Sequence, residues 1–191
     1  VSEKYTFFII TGPVGAYYKE GFNPVSLMTS GEFVRAVRGG LGEAKTAANY
    51  AASLLPAYEA KKRGYSQVLW LDGVHEKYID EVGTMNICFY KDGTLITPPL
   101  EGTILAGVTR DSVLQLARHW GIKVEERRIS IDEVMASIKD GSMTEIFGTG
   151  TAAVISPVGE LFHKGETVTI NDNRTGPLAK RLFDEITGIQ V

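Results

Sequence analysis

A single cysteine, Cys88, stands in the 191-residue chain, so no disulfide can close within it. It lies in the apolar run Ile87-Cys88-Phe89-Tyr90, which reads as a buried, inert thiol rather than a nucleophile. A reducing, cytoplasmic setting fits that usage. Excess charge of either sign is also missing. Lys and Arg number 20 against 23 Asp and Glu, a net charge of -3 without a basic run, so no nucleic-acid surface is expected. No apolar stretch approaches the roughly 20 residues that span a bilayer, so no membrane partner is expected either. Phosphate-loop and dinucleotide fingerprints are absent: no Gly-Lys-Ser/Thr follows a glycine-rich turn, and the G-x-G-x-x-G spacing does not occur. No nucleophile elbow is visible. His75, His119 and His163 are scattered, without the carboxylate or cysteine spacing of a metal site. No repeat or low-complexity segment interrupts the chain.

What remains is ordinary globular composition, 43% hydrophobic and 23% charged, enough for one large domain with a packed core. Residues 1–4 are no signal peptide; followed at once by the apolar run 5–11, they read as a chain entered partway. Residues 5–11 are β-branched and aromatic, the pattern of a strand. Loops follow at Gly12-Pro13-Val14-Gly15-Ala16 and Gly21-Phe22-Asn23-Pro24. Residues 33–38 suggest a short helix. Residues 46–63 repeat Ala48, Ala51, Ala52, Leu55 and Tyr58 near helical spacing, with Pro56 starting a new segment or kinking the helix and Gly64 stopping it. Strands are expected at 67–71 and 84–90, the second joined through the hairpin signal Asp92-Gly93 to 94–96. Further elements are a helix over 109–120, a strand over 124–129, a helix capped by Ser130 with Glu133 in the capping-box position, strands near 145–147, 153–155 and 161–163, and a helix from Pro177 to about Ile186. Interspersed helices, short strands and hairpins imply an α/β or α+β fold on a mixed sheet.

Four segments could carry chemistry. In Gly39-Gly40-Leu41-Gly42-Glu43-Ala44-Lys45-Thr46-Ala47-Ala48-Asn49-Tyr50 a glycine bend leads into a small-residue helix start, and an amine held there could form a Schiff base with a carbonyl cofactor. Tyr50, five positions on, either reaches a shared ligand or packs on the core with its hydroxyl outside. Glu81, in Glu81-Val82-Gly83-Thr84-Met85-Asn86, is either a surface turn carboxylate or a buried anion in need of a cationic partner such as a protonated pyridine nitrogen. Leu105-Ala106-Gly107-Val108-Thr109-Arg110 enters a helix, whose first N–H groups either hold an anion or are capped by Thr109 alone. Phe147-Gly148-Thr149-Gly150-Thr151-Ala152 either presents backbone N–H groups to an anion or is a tight glycine turn.

The order and spacing of these four segments closely resemble the branched-chain amino acid aminotransferases, among the fold-type IV pyridoxal-phosphate enzymes. The resemblance runs over nearly the whole chain, with Glu-Val-Gly-Thr-Met-Asn its most telling part. It implies the large cofactor-binding domain of the D-amino acid aminotransferase-like fold, a mixed sheet or pseudo-barrel with surrounding helices. It implies transamination between Leu, Ile or Val and 2-oxoglutarate on pyridoxal 5′-phosphate. Lys45 would bond the cofactor and shuttle the proton, Tyr50 would meet its phenolic oxygen, and Glu81 would keep its ring nitrogen protonated. Gly107, Val108 and Thr109 would hold the phosphate with the Thr151 hydroxyl, Leu105 would pack near the ring, and Thr151-Ala152 would hold the substrate carboxylate.

Two departures stand out. Some members carry Cys-x-x-Cys where this chain has Ala153 and Ser156, which excludes a thiol switch there. The resemblance also implies an N-terminal small domain, which in the family supplies a phosphate-binding arginine, much of the apolar pocket and much of the dimer contact, and by that comparison these 191 residues would not include it. By the same comparison residues 1–18 would be a remnant strand and interdomain linker, with Tyr17 over the substrate, and 19–191 the large domain. The expected partners are amino acids and 2-oxo acids, the small domain, and a second copy in a dimer, while the isolated chain should be nearly inactive. Alternatives are a D-amino acid aminotransferase, an aminodeoxychorismate lyase, or a scaffold domain without chemistry.

Overall fold

The computed structural model describes residues 2–13 and 22–190. Among the described residues nine strands form one mixed sheet: β1 Val25–Thr29, β2 Gln67–Leu71, β3 Ile79–Val82, β4 Asn86–Lys91, β5 Thr94–Thr97, β6 Lys123–Glu126, β7 Met143–Gly150, β8 Val154–His163 and β9 Glu166–Thr169. Their order is β3-β2-β1-β8-β7-β4-β5-β6, with β9 paired to β8. β1 runs parallel to β2 and β8, and β5 parallel to β6; the other pairs are antiparallel. The helices are α1 Ala47–Ala51, α2 Leu54–Lys62, α3 Val108–His119, α4 Ile131–Lys139 and α5 Pro177–Gln190. This is the mixed α/β architecture expected.

Strand alternation divides the core. On β4, Ile87 and Phe89 join Leu69, Ile129, Val134 and Leu161 on the α4 side, while Cys88 joins Leu95, Leu114, Phe147 and Leu182 on the α3 and α5 side. Burial pushes the Cys88 thiol up to about 12, so it is inert as expected. A smaller cluster packs Ala60 of α2 on Val68 and Trp70. Each such fully buried large side chain contributes roughly 1.5–3 kcal/mol.

Several boundaries differ from the sequence reading. Residues 5–11 form no strand: they are unpaired, and Phe7 and Ile10 are more than three-quarters exposed. A strand needs a neighbour for its N–H and C=O groups, and none is present among the described residues. Residues 33–38 are not helical. There Arg35 is drawn to the Thr103 carbonyl, Asn49 and Glu81, and these contacts override local propensity. The 46–63 helix is two helices. Pro56 has no N–H to give the Ala52 carbonyl, so the chain breaks at 52–53 and Pro56 sits in the first turn of α2. Gly64, at φ 90°, ends α2 as expected. Asp92 (φ 47°) and Gly93 (φ 74°) form the two-residue β4–β5 hairpin. The strand expected over 124–129 ends at Glu126. Strands near 153–155 and 161–163 are the two ends of the single strand β8. Ser130 caps α4 by accepting from Glu133 N (3.1 Å), but the Glu133 carboxylate pairs with Arg127 instead of closing a capping box. β1 and β9 had no sequence signal of their own.

Candidate active site

Glu81 lies on β3, next to the turn that returns the chain into β4. Val82 and Met85 exchange both backbone hydrogen bonds across Gly83-Thr84 (3.0 and 2.8 Å), and Gly83 takes φ 55°. A side chain there would also strike Gln67, whose Oε1 is 2.2 Å from an added Cβ. The turn holds Glu81 and Asn86 together. Asn86 Nδ2 donates to Glu81 Oε1 (2.9 Å) and to the Leu105 carbonyl (2.8 Å), while Leu105 N donates to Glu81 Oε1 (3.1 Å). The second carboxylate oxygen meets Arg35 Nη2 at 3.0 Å. Glu81 is therefore no surface turn acid; it is 4% exposed. Burial pushes its carboxyl up to about 7, opposed by Arg35 and the Leu105 N–H.

Arg35 ties the acid to the lysine segment. Its Nη1 donates to Asn49 Oδ1 (3.2 Å), and Asn49 Nδ2 donates to the Ala44 carbonyl (3.0 Å), beside Lys45. Gly42 fixes the approach of that loop, because a Cβ there would lie 2.4 Å from the Thr103 carbonyl oxygen. Lys45 Nζ stands 6.0 Å from the Tyr50 ring centre, with Lys45 exposed and Tyr50 half-buried.

The third element is the start of α3. Gly107 is its N-cap and offers no side-chain cap, so the first-turn N–H groups point out unsatisfied. A Cβ at Gly107 would lie 2.1 Å from Asn86 Oδ1, so glycine lets the helix end descend onto Asn86. Across the sheet Asn86 pairs with Thr149.

One cavity of about 50 Å³ gathers these groups: Lys45, Tyr50, Glu81, Leu105, Gly107, Val108, Thr109 and Thr151 all line it. Every expected site residue but two is thus brought together. Ala152 is exposed in the β7–β8 turn and does not line the cavity, and Tyr17 falls outside the described residues. Arg35, Asn49, Asn86 and Thr149 line it as well and had no role in the sequence reading. A signal for Arg35 existed, since a buried carboxylate implies a cationic partner. A larger cavity of about 240 Å³ lies against Arg38, Asp72, Asp80 and Arg128. The smaller one is the candidate because it holds the amine, the phenol, the buried acid and the free helix N-terminus together. The arrangement suits a flat, charged ligand, with an acid for a ring cation and helix N–H groups for an anion. Among the described residues no group of His, Cys, Asp and Glu could hold a metal ion, and no helix is long and apolar enough to cross a membrane.

Relatives carry the same architecture. The chain is 58% identical over 189 residues to branched-chain-amino-acid aminotransferase 2 of Bacillus subtilis, covering 99% of this chain and 52% of that protein. It is 55% identical over 190 residues to a probable branched-chain-amino-acid aminotransferase of Staphylococcus aureus, covering 99% and 53%. It thus spans about half the length of the relatives it matches. The crystal structure of the Escherichia coli branched-chain amino acid aminotransferase superposes with a TM-score of 0.81 at 33% identity, over 93% of this chain and 55% of that one. The T.th. branched-chain amino acid aminotransferase solved with pyridoxamine 5′-phosphate superposes at 0.76 and 31%, over 92% and 55%. The sequence model of the family described as amino-transferase class IV matches residues 2–161, and the chain belongs to that family.

Proposed function

We propose that this chain is the large domain of a branched-chain amino acid aminotransferase, which binds pyridoxal 5′-phosphate in the Lys45–Glu81 cavity and exchanges amino groups between Leu, Ile or Val and 2-oxoglutarate. The observation that carries the reading is the convergence of Lys45, Tyr50, Glu81 and the uncapped start of α3 on one cavity. The names of its relatives support the substrate class. The T.th. structures with pyridoxamine 5′-phosphate and with N-(5′-phosphopyridoxyl)-L-glutamate support the cofactor. The residues fit that cofactor: a buried acid for the ring nitrogen, a phenol, an amine, and an anion seat at a helix end.

When bound, the cofactor supplies an electron sink for the substrate's Cα. Lys45 anchors it through its amine and carries the proton at Cα. Tyr50 donates to its phenolic oxygen. Glu81, ionised beside Arg35, holds the proton on the ring nitrogen. Val108 and Thr109 N–H groups seat the phosphate, with the exposed Thr151 hydroxyl beside them, and Thr151-Ala152 N–H groups orient the substrate carboxylate. Leu105 packs beside the ring. A small N-terminal domain and a second copy of the protein close the apolar part of the pocket and exclude water. Exposed apolar residues, among them Phe7, Ile9, Leu54 and Tyr58, support such a covering.

The test is a substrate panel. Joined to its small domain, the protein should transaminate Leu, Ile and Val with 2-oxoglutarate. Preference for D-alanine, or release of pyruvate from aminodeoxychorismate, would replace this reading by one of its relatives' chemistries. The 191-residue chain alone should bind the cofactor and turn over little. Borohydride should fix cofactor to the wild-type chain and not to Lys45→Ala; a fixed adduct in the variant removes Lys45 from the mechanism.

A further inference from the structure

We propose that the buried hydroxyl of Thr149 is a further cofactor-binding group, one that donates a hydrogen bond to the phosphate seated at the N-terminus of α3. This deepens the reading above and rests on it. Among the described residues four buried side-chain atoms have no hydrogen-bond partner: Arg35 Nε, Arg110 Nε, Thr149 Oγ1 and Ser156 Oγ. Arg110 and Ser156 do not line the cofactor cavity, whereas Arg35 and Thr149 do. Arg35 has committed both terminal nitrogens, to Asn49, Thr103 and Glu81. Thr149 is the one whose side-chain hydrogen-bonding capacity is wholly uncommitted.

Its place in the fold says what that hydroxyl can meet. Thr149 is 1% exposed, so water does not hydrate it from outside. It pairs with Asn86 on one side and Ile155 on the other, which leaves only its side chain free for a ligand. Asn86 is also the residue onto which the Gly107 end of α3 descends. Through Asn86, the strand pairing and the glycine cap thus bring Thr149 and the uncapped helix end into the lining of the same cavity. Valine would fill the same volume without burying an unpaired hydroxyl, which is costly unless a partner arrives. The partner available at a helix N-terminus is an anion. Thr151, by contrast, is exposed, and its hydroxyl exchanges one hydrated state for another.

The experiment compares pyridoxal 5′-phosphate with pyridoxal, which lacks the phosphate, as probes of the 191-residue chain by absorbance titration. Thr149→Val should weaken the phosphorylated probe about ten- to a hundredfold, the range for a hydrogen bond to a charged group. It should leave pyridoxal within about twofold, and Thr149→Ser should restore most of the loss. Without ligand, Thr149→Val should melt at the same temperature as wild type or higher, since it removes an unpaired polar atom. Should Thr149→Val aggregate, Thr149→Ala against Thr149→Ser makes the same comparison. Equal weakening of both probes, or no weakening of the phosphorylated one, overturns the assignment. If the wild-type chain itself does not prefer the phosphorylated probe, the cofactor reading falls instead.

Discussion

The Arg35 guanidinium and the Glu81 carboxylate meet at 3.0 Å with side chains only 6% and 5% exposed. An ion pair so enclosed contributes little net stability, but removing one partner strands the other. Arg35→Met should therefore destabilise the unliganded chain by roughly 3 kcal/mol at pH 8, where Glu81 is ionised. The loss should shrink at pH 5, where Glu81 can take a proton. Arg35→Met with Glu81→Gln should recover part of it. Urea unfolding at the two pH values measures this, and a pH-independent loss would mean that Arg35 acts by packing alone.

The carboxyls of Glu81 and its neighbour Asp80 stand above their ordinary values, at about 7 and about 6, each raised chiefly by burial. The folded chain then holds protons that the unfolded chain has released, so stability falls as pH rises through that interval. For Glu81 the interval runs from 4.5 to about 7, and for Asp80 from 3.8 to about 6. Between pH 4.5 and 8, Glu81→Gln should gain on wild type by an amount on the order of a few kcal/mol. Pyridoxal 5′-phosphate should flatten the wild-type fall, because a ring cation stabilises the ionised acid. Parallel pH profiles for wild type and variant would show that Glu81 is not the titrating group.

Glu81 also marks where sequence reading stopped. The helices at α3 and α5, the Asp92-Gly93 hairpin and the Gly64 stop were legible because each rests on local chemistry: apolar periodicity, a proline or glycine in a fixed place, a capping hydroxyl. The amine, the phenol, the acid and the helix end were legible as separate motifs with alternatives. Their convergence is tertiary. Arg35 was hidden inside a segment with helical propensity, and its role appears only once β3 and the 98–104 loop surround it. Asn86 looked like the tail of a motif until the Gly83-Thr84 turn placed its amide against Glu81. The strand reading at 5–11 shows the converse, a strong local pattern with no neighbour among the described residues to realise it.

Gly42 carries the next expectation. Its backbone has ordinary φ, so the glycine is required by close approach rather than by a left-handed turn: an added Cβ would sit 2.4 Å from the Thr103 oxygen and 2.7 Å from Ala36 Cβ. The first obstacle is backbone and cannot rotate away. Gly42→Ala should cost about 1–3 kcal/mol by overpacking and should displace the segment that presents Lys45. The fixed adduct after borohydride should drop even where the chain is still folded by circular dichroism. Gly93→Ala is the contrast. It sits at φ 74° with nothing within 4 Å, so any loss there is conformational and should leave adduct yield unchanged.

The last expectation concerns a helix capped from a distance. α5 begins at Pro177, which has no N–H, and its next two backbone N–H groups, Leu178 and Ala179, donate to the carboxylate of Glu145 at 2.9 and 2.8 Å. Glu145 reaches them from β7, across a Gly176 whose Cβ would lie 2.1 Å from the Glu145 carboxyl carbon. A buried acid thus serves as the N-cap of a helix more than thirty positions on, close to the positive end of its dipole. Glu145→Ala leaves two buried donors without partners and should cost about 2–4 kcal/mol in urea unfolding. Glu145→Gln keeps one acceptor and should cost about half as much. Neither variant should alter the affinity for pyridoxal 5′-phosphate at temperatures where it remains folded, because Glu145 does not line the cofactor cavity. A loss below about 0.5 kcal/mol in Glu145→Ala would mean that water caps α5 as well as the carboxylate does.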